Sequence, residues 1–233
     1  MPLPEIVTPT YTLTVPSTKK KLKYRPFLVK EQKTLIIAME QQDSEQTLEA
    51  IKTVLNNCII TKNIVLEDMA LFDIEYIFLQ VRARSISEEI EMKVTCPDDG
   101  ETEINVSFLV DDVKVHFPKG HTNVFKISDD ITVEMKYPDM EYFAAITFNQ
   151  DKVDPYELVG KCIKRVYVGE EPTGSFSPEE AKDWIETLTN SQFGMIQEFF
   201  NTMPSLRHVL KFKNPKTQVQ NEVVIEGLAD FFA

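Results

Sequence analysis

Glu89-Ile90-Glu91-Met92-Lys93-Val94-Thr95-Cys96-Pro97-Asp98-Asp99-Gly100-Glu101-Thr102-Glu103-Ile104-Asn105-Val106-Ser107-Phe108 is where the chain changes its hydrophobic period, and that change decides the fold class. Ile90, Met92 and Val94 alternate with Glu89, Glu91 and Lys93. After the turn Pro97-Asp98-Asp99-Gly100, Ile104, Val106 and Phe108 alternate with Glu103, Asn105 and Ser107. Successive strand side chains point to opposite faces, so the pattern predicts a hairpin with one buried face. Just upstream, Leu71, Ile74, Phe78 and Val81 recur at helical spacing, and Phe72, Tyr76 and Leu79 fill much of the remaining circumference. A helix over 67–85 that is apolar on nearly all sides is a central, buried one. Helical and strand periods in separate runs predict an α+β fold.

Working outward, a strand pair is expected at 11–15 and 22–27, the second strand ended by Pro26, which has no ladder donor. Helices follow at 30–41 and 44–60, where Leu48, Ile51, Leu55 and Cys58 form an amphipathic stripe. Downstream of the hairpin, Val113, Val115 and Phe117, then 124–127, then Ile131, Val133, Met135 and Tyr137 predict an antiparallel meander continuing it. Helical signals return at Pro138-Asp139, continue through Asp154-Pro155-Tyr156 and recur at Ser177-Pro178-Glu179-Glu180, where a Ser cap, Pro at the first helical position and first-turn acids agree. Phe193, Ile196, Phe200 and Met203 repeat the stripe and, with Trp184 and Phe199, are expected to pack in a helical core. A terminal hairpin over 206–225 turns at Asn214-Pro215-Lys216-Thr217. Three segments result: 1–87 with a strand pair and helices, 88–137 with the meander, and 138–233 with helices, the hairpin and a Phe-Phe tail.

The formal net charge is −12, unevenly placed: residues 1–87 carry 11 basic and 10 acidic side chains, residues 88–233 carry 14 and 27. Such a field opposes binding to phosphate backbones. The exception is the cluster Lys19, Lys20, Lys21, Lys23 and Arg25, which reads either as a solvated, edge-protecting basic strand or as a docking patch for an acidic partner. No apolar run reaches membrane-spanning length and the first residues lack the order of a signal peptide, so a soluble cytoplasmic protein is expected. Cys58, Cys96 and Cys162 are far apart, and a reduced compartment is the simpler reading; Cys58 and Cys162, among apolar residues at helical spacing, are expected to be buried, inert thiols.

Catalytic motifs are missing from this sequence: it has no Gly-rich phosphate loop and no Gly-x-Ser-x-Gly elbow, and Glu88-Glu89 and Asp111-Asp112 are acid pairs expected by abundance among 37 acids. The turn Cys96-Pro97-Asp98-Asp99-Gly100 is a zinc-knuckle turn with Asp99 at its second sulfur position, while a structural site needs four ligands. The other tip, at 213–218, offers no thiolate, and His116, His121 and His208 form no spaced pair. No metal or cofactor is expected, and the hairpin reads as zinc-ribbon-like with incomplete ligands. The residues by themselves therefore give an acidic interaction protein. A zinc-ribbon-like nucleic-acid-binding regulator is the alternative, set against seven acids and Lys93 alone over 87–103.

Three blocks carry a resemblance. They are Pro16-Ser17-Thr18-Lys19-Lys20-Lys21-Leu22-Lys23-Tyr24-Arg25-Pro26-Phe27-Leu28-Val29-Lys30-Glu31, the helix Leu71-Phe72-Asp73-Ile74-Glu75-Tyr76-Ile77-Phe78-Leu79-Gln80-Val81-Arg82-Ala83-Arg84-Ser85, and the end Glu226-Gly227-Leu228-Ala229-Asp230-Phe231-Phe232-Ala233. In order and spacing the chain resembles the baseplate hub and hub-assembly protein family of T-even-like contractile-tailed bacteriophages. The resemblance implies a non-enzymatic role in building the baseplate hub, with hub and tape-measure proteins as partners and the host cytoplasm or the virion tail as location. The matching residues are Tyr24, Arg25, Pro26, Phe27 and Glu31, then Asp73, Arg82 and Ser85, then Gly227, Leu228, Phe231 and Phe232; no active site transfers with them. Phe231 and Phe232 are expected either to lock the terminal hairpin to the core or to dock on a partner, since two adjacent aromatics do not face water without cost.

Overall fold

In the computed structural model, which describes residues 6–40, 44–140 and 154–227, the changes of period become changes of element. Strands β1 (Tyr11–Thr14) and β2 (Lys21–Tyr24) lead into helices α1 (Val29–Glu40), α2 (Ser44–Cys58) and α3 (Leu71–Ser85). Next come β3 (Glu89–Thr95), β4 (Glu103–Leu109), β5 (Lys114–His116), β6 (Val124–Lys126) and β7 (Ile131–Met135). The order closes with α4 (Pro155–Lys161), β8 (Ile163–Val168), β9 (Glu171–Pro172), α5 (Pro178–Glu186), α6 (Asn190–Thr202), β10 (Ser205–Lys213) and β11 (Gln220–Glu226). Helices with small antiparallel sheets make the fold α+β, as the period change predicts. No described helix is long and apolar enough to cross a membrane.

The chain divides into two units, one of Met1–Leu66, Phe72–His116 and Ser205–Ala233, the other of Glu67–Leu71 and Phe117–Pro204. Spatial grouping thus departs from sequence order: the terminal hairpin β10–β11 belongs with β3–β4 and α3.

In the first unit α3 is buried on almost every side, including Phe72, Ile74, Ile77, Phe78, Leu79 and Val81. Burying each such side chain contributes about 1.5–3 kcal/mol. Leu79 and Ala83 pack with Ile90, Val94 and Phe108 of the first hairpin and with Leu206, Leu210 and Ile225 of the last. The register is the one alternation demands, with Ile90 opposite Phe108, Met92 opposite Val106 and Val94 opposite Ile104.

The expected meander is not one continuous sheet. A single 3-10 turn at Val110–Asp112 ends the first hairpin, and β5 joins the far edge of β10, Val115 opposite Leu206. Strands β6 and β7 belong to a separate four-stranded sheet, ordered β6-β7-β8-β9. Alternation specifies which face of a strand is buried, not which strand lies beside it. Strand β8 was not anticipated, because Ile163-Lys164-Arg165-Val166-Tyr167-Val168 does not alternate apolar and polar residues strictly.

In the second unit the helical core expected around Trp184, Ile196 and Phe199 packs on a sheet. Val133, Met135, Ile163, Ile185, Ile196 and Phe199 form its centre. Phe199, off the predicted α6 stripe, is the largest fully buried side chain among its described residues, its ring centroid 5.5 Å from Tyr137 and 5.4 Å from His121. The Ser177 cap is as read, while the caps at Thr189 and Asp154 come from the structure. Ser177 and Thr189 each close a reciprocal capping box, with Glu180 and Gln192, and Asp154 accepts from the Tyr156 N–H at 2.8 Å.

Candidate interaction site

The basic cluster sits on the β1–β2 hairpin, which pairs Tyr11 with Tyr24, Leu13 with Leu22 and Thr14 with Lys21. Leu22 and Tyr24 are buried, so the period of two sends Lys21 and Lys23 to the opposite, exposed face. Lys19 and Lys20 are exposed in the turn, where Lys19 holds φ at 58° and its N–H donates to Val15 O at 2.9 Å. The structure therefore gathers four of the five predicted cations into one exposed ridge.

Arg25 is placed differently. Its guanidinium turns inward, donating to Glu31 Oε1 at 3.0 Å and to Pro26 O at 2.9 Å. Glu31 is only 2% exposed and also accepts the Leu28 N–H at 2.7 Å, a capping contact at the start of α1. Burial would raise the Glu31 carboxyl, but the hydrogen bonds from Arg25 and Leu28, with the charges of Arg25 and Lys30, hold it below the ordinary carboxylate range. Arg25 thus secures the joint between strand and helix.

The remaining motif residues meet on α3. Ser85 Oγ accepts the Phe27 N–H at 2.9 Å and donates to Val81 O. Asp73, also buried, accepts from the Ser17 N–H at 2.9 Å and from the Ser17 hydroxyl. Burial pushes the Asp73 carboxyl up, against those two hydrogen bonds. Gly227 stands at φ +70°, where an added Cβ would lie 3.3 Å from Glu75 Oε1 of the same helix. Blocks separated by scores of residues therefore fix one buried helix. Ser17 as the partner of Asp73 was missed by sequence reasoning, since a lone Ser before a lysine run carries no signal. Leu228, Phe231 and Phe232 lie outside the described residues.

Among the described residues little of the rest is arranged for chemistry. An apolar cleft of about 200 Å³ in the second unit is lined by Ile163, Val166, Phe176 and Trp184, and its one carboxylate, Glu180, is engaged by the Ser177 N–H at 2.7 Å. Burial pushes the Cys58 thiol up to about 11 and the Cys162 thiol up to about 12, which makes both poor nucleophiles. Among the described residues no group of three or more His, Cys, Asp or Glu is placed to hold a metal ion. The two hairpin tips do face each other: Asn214 Nδ2 and Asn221 Nδ2 donate to Asp98 Oδ1 at 2.9 and 2.7 Å.

Neither a curated protein nor a solved structure matches this sequence. The sequence model of one family, described as T4 bacteriophage base plate protein, matches residues 8–233, nearly the whole length. With its match running almost end to end, the chain belongs to the T4 bacteriophage base plate protein family.

Proposed function

We propose that the chain helps to build the baseplate hub, as a minor hub component or as a chaperone-like factor handling hub and tape-measure proteins before the tail tube polymerises, and that it works by docking, without catalysis. Family membership gives it a structural or assembly role in the phage baseplate and a place at the virion tail baseplate. That match over 8–233 is the observation that carries the proposal. The surface supports it. Lys19, Lys20, Lys21 and Lys23 form an exposed ridge on a chain of net charge −12, suited to an acidic face of a hub protein. Phe231 and Phe232 are a second candidate contact, and assembly in the host cytoplasm is the setting.

The test is recovery of partners by tagged protein from infected cells, with and without nuclease. Wild type should bring down hub and tape-measure proteins in both conditions. A chain with Lys19→Glu, Lys20→Glu, Lys21→Glu and Lys23→Glu should stay folded and lose them. Recovery of nucleic acid instead favours the regulator reading, and recovery of neither sinks the hub role.

A further inference from the structure

The two facing tips share more than proximity. Cys96-Pro97-Asp98-Asp99-Gly100 and Asn214-Pro215-Lys216-Thr217-Gln218 are the same five-residue turn. In each the fifth residue has positive φ, 67° at Gly100 and 65° at Gln218. In each the fifth N–H donates to the first carbonyl, at 2.9 Å in both, and the first N–H is bonded back across the hairpin, Cys96 to Thr102 O at 2.8 Å and Asn214 to Val219 O at 2.9 Å. This is the backbone that presents two zinc thiolates from positions one and four of a knuckle.

At three of these four positions the side chains accept backbone N–H groups as metal-bound sulfurs would. Asn214 Oδ1 accepts the Lys216 and Thr217 N–H groups at 2.8 and 3.3 Å. Asp99 Oδ1 accepts the Glu101 N–H at 3.1 Å, and Thr217 Oγ1 accepts the Val219 N–H at 3.3 Å, the same step of two residues on each hairpin. Between the tips lies the Asp98 carboxylate with its donors Asn214, Asn221 and the Thr217 hydroxyl. The Asp98 N–H closes the circuit on Asn221 Oδ1 at 3.1 Å. Cys96 and Asn214 are both 0% exposed. The turn alone does not make the signal. Val15-Pro16-Ser17-Thr18-Lys19 has the same backbone bond, Lys19 N–H to Val15 O at 2.9 Å, yet its third residue fastens to Asp73 on α3.

We infer that the paired tips are a zinc-ribbon clasp in which a hydrogen-bond network around Asp98 takes the place of the ion, so that thiols at positions 99, 214 and 217 beside Cys96 create a tetrahedral Zn²⁺ site. The full chain carrying Asp99→Cys, Asn214→Cys and Thr217→Cys should bind one Co²⁺ with release of thiol protons, showing the intense absorption of a tetrahedral thiolate centre, and lose that absorption when Zn²⁺ displaces the Co²⁺. Chelator should then lower its melting temperature and leave that of wild type unchanged. In the natural chain Asp98→Ala should lower melting by several degrees, and added zinc should not restore it.

A folded triple variant without Co²⁺ binding, or with the weak absorption of an octahedral centre, overturns the inference. If that variant does not fold, Asn214→Cys with Thr217→Cys, which leaves three thiols and the Asp99 carboxylate, is read by the same spectrum. Failure of both to fold with zinc present also counts against it, because thiols at true ligand positions fold around the metal.

Discussion

Glu31→Ala should be among the most damaging single changes outside the apolar core, and its size follows from the geometry of the Arg25 pair. The mutation removes a carboxylate that accepts from Arg25 at 3.0 Å and from the Leu28 N–H at 2.7 Å in a site 2% exposed. Stripping one partner from a buried ion pair costs about 3–5 kcal/mol. Arg25 keeps 17% exposure and its bond to Pro26 O, so water and that carbonyl recover part of the loss. The lower end, about 3 kcal/mol, is expected. For a chain of this length that is a fall in Tm of about 6–12 °C. Urea or thermal unfolding followed by circular dichroism reads it directly. Arg25→Met with Glu31→Leu should recover most of the stability, since an apolar pair of similar volume leaves no buried charge behind. A Glu31→Ala protein melting within about 1 °C of wild type would refute the reasoning, because that site would then tolerate an unpaired guanidinium.

Further expectations concern other parts of the molecule. Ser177→Ala breaks the α5 capping box and should cost about 1 kcal/mol by denaturant titration, with Ser177→Asp nearly neutral. The natural protein should purify without stoichiometric zinc by elemental analysis and keep its circular dichroism in chelator; one zinc per chain with unfolding in chelator would contradict this. Burial holds His121 below its ordinary value of 6.5, so the folded state resists its protonation. The stability it contributes is full above that value and is lost as pH falls below it. Melting curves between about pH 7.5 and about pH 5.5 should show that loss, flattened in His121→Gln.

Legibility varied with the range of the interaction. Helix α3 was readable because an all-round apolar helix has few places to go, and the Ser177 cap because its residues are neighbours in sequence. The pairing of β5 with β10 was not readable, since Val115 and Leu206 carry nothing that names each other. Strand β8 lacked alternation, and Phe199 outranked the α6 stripe because a sheet lies against that helix. At the candidate site, exposure of Lys21 and Lys23 follows from the burial of Leu22 and Tyr24. The inward turn of Arg25 depends on Glu31, six residues on, and the Asp98 clasp on partners more than a hundred residues away.

The central claim, that the chain serves baseplate assembly, is tested most directly by electron microscopy of infections with phage lacking it. Heads and tail fibres should accumulate with few complete baseplates, and supplying the chain in trans should restore them. Normal baseplates in normal number would contradict the account.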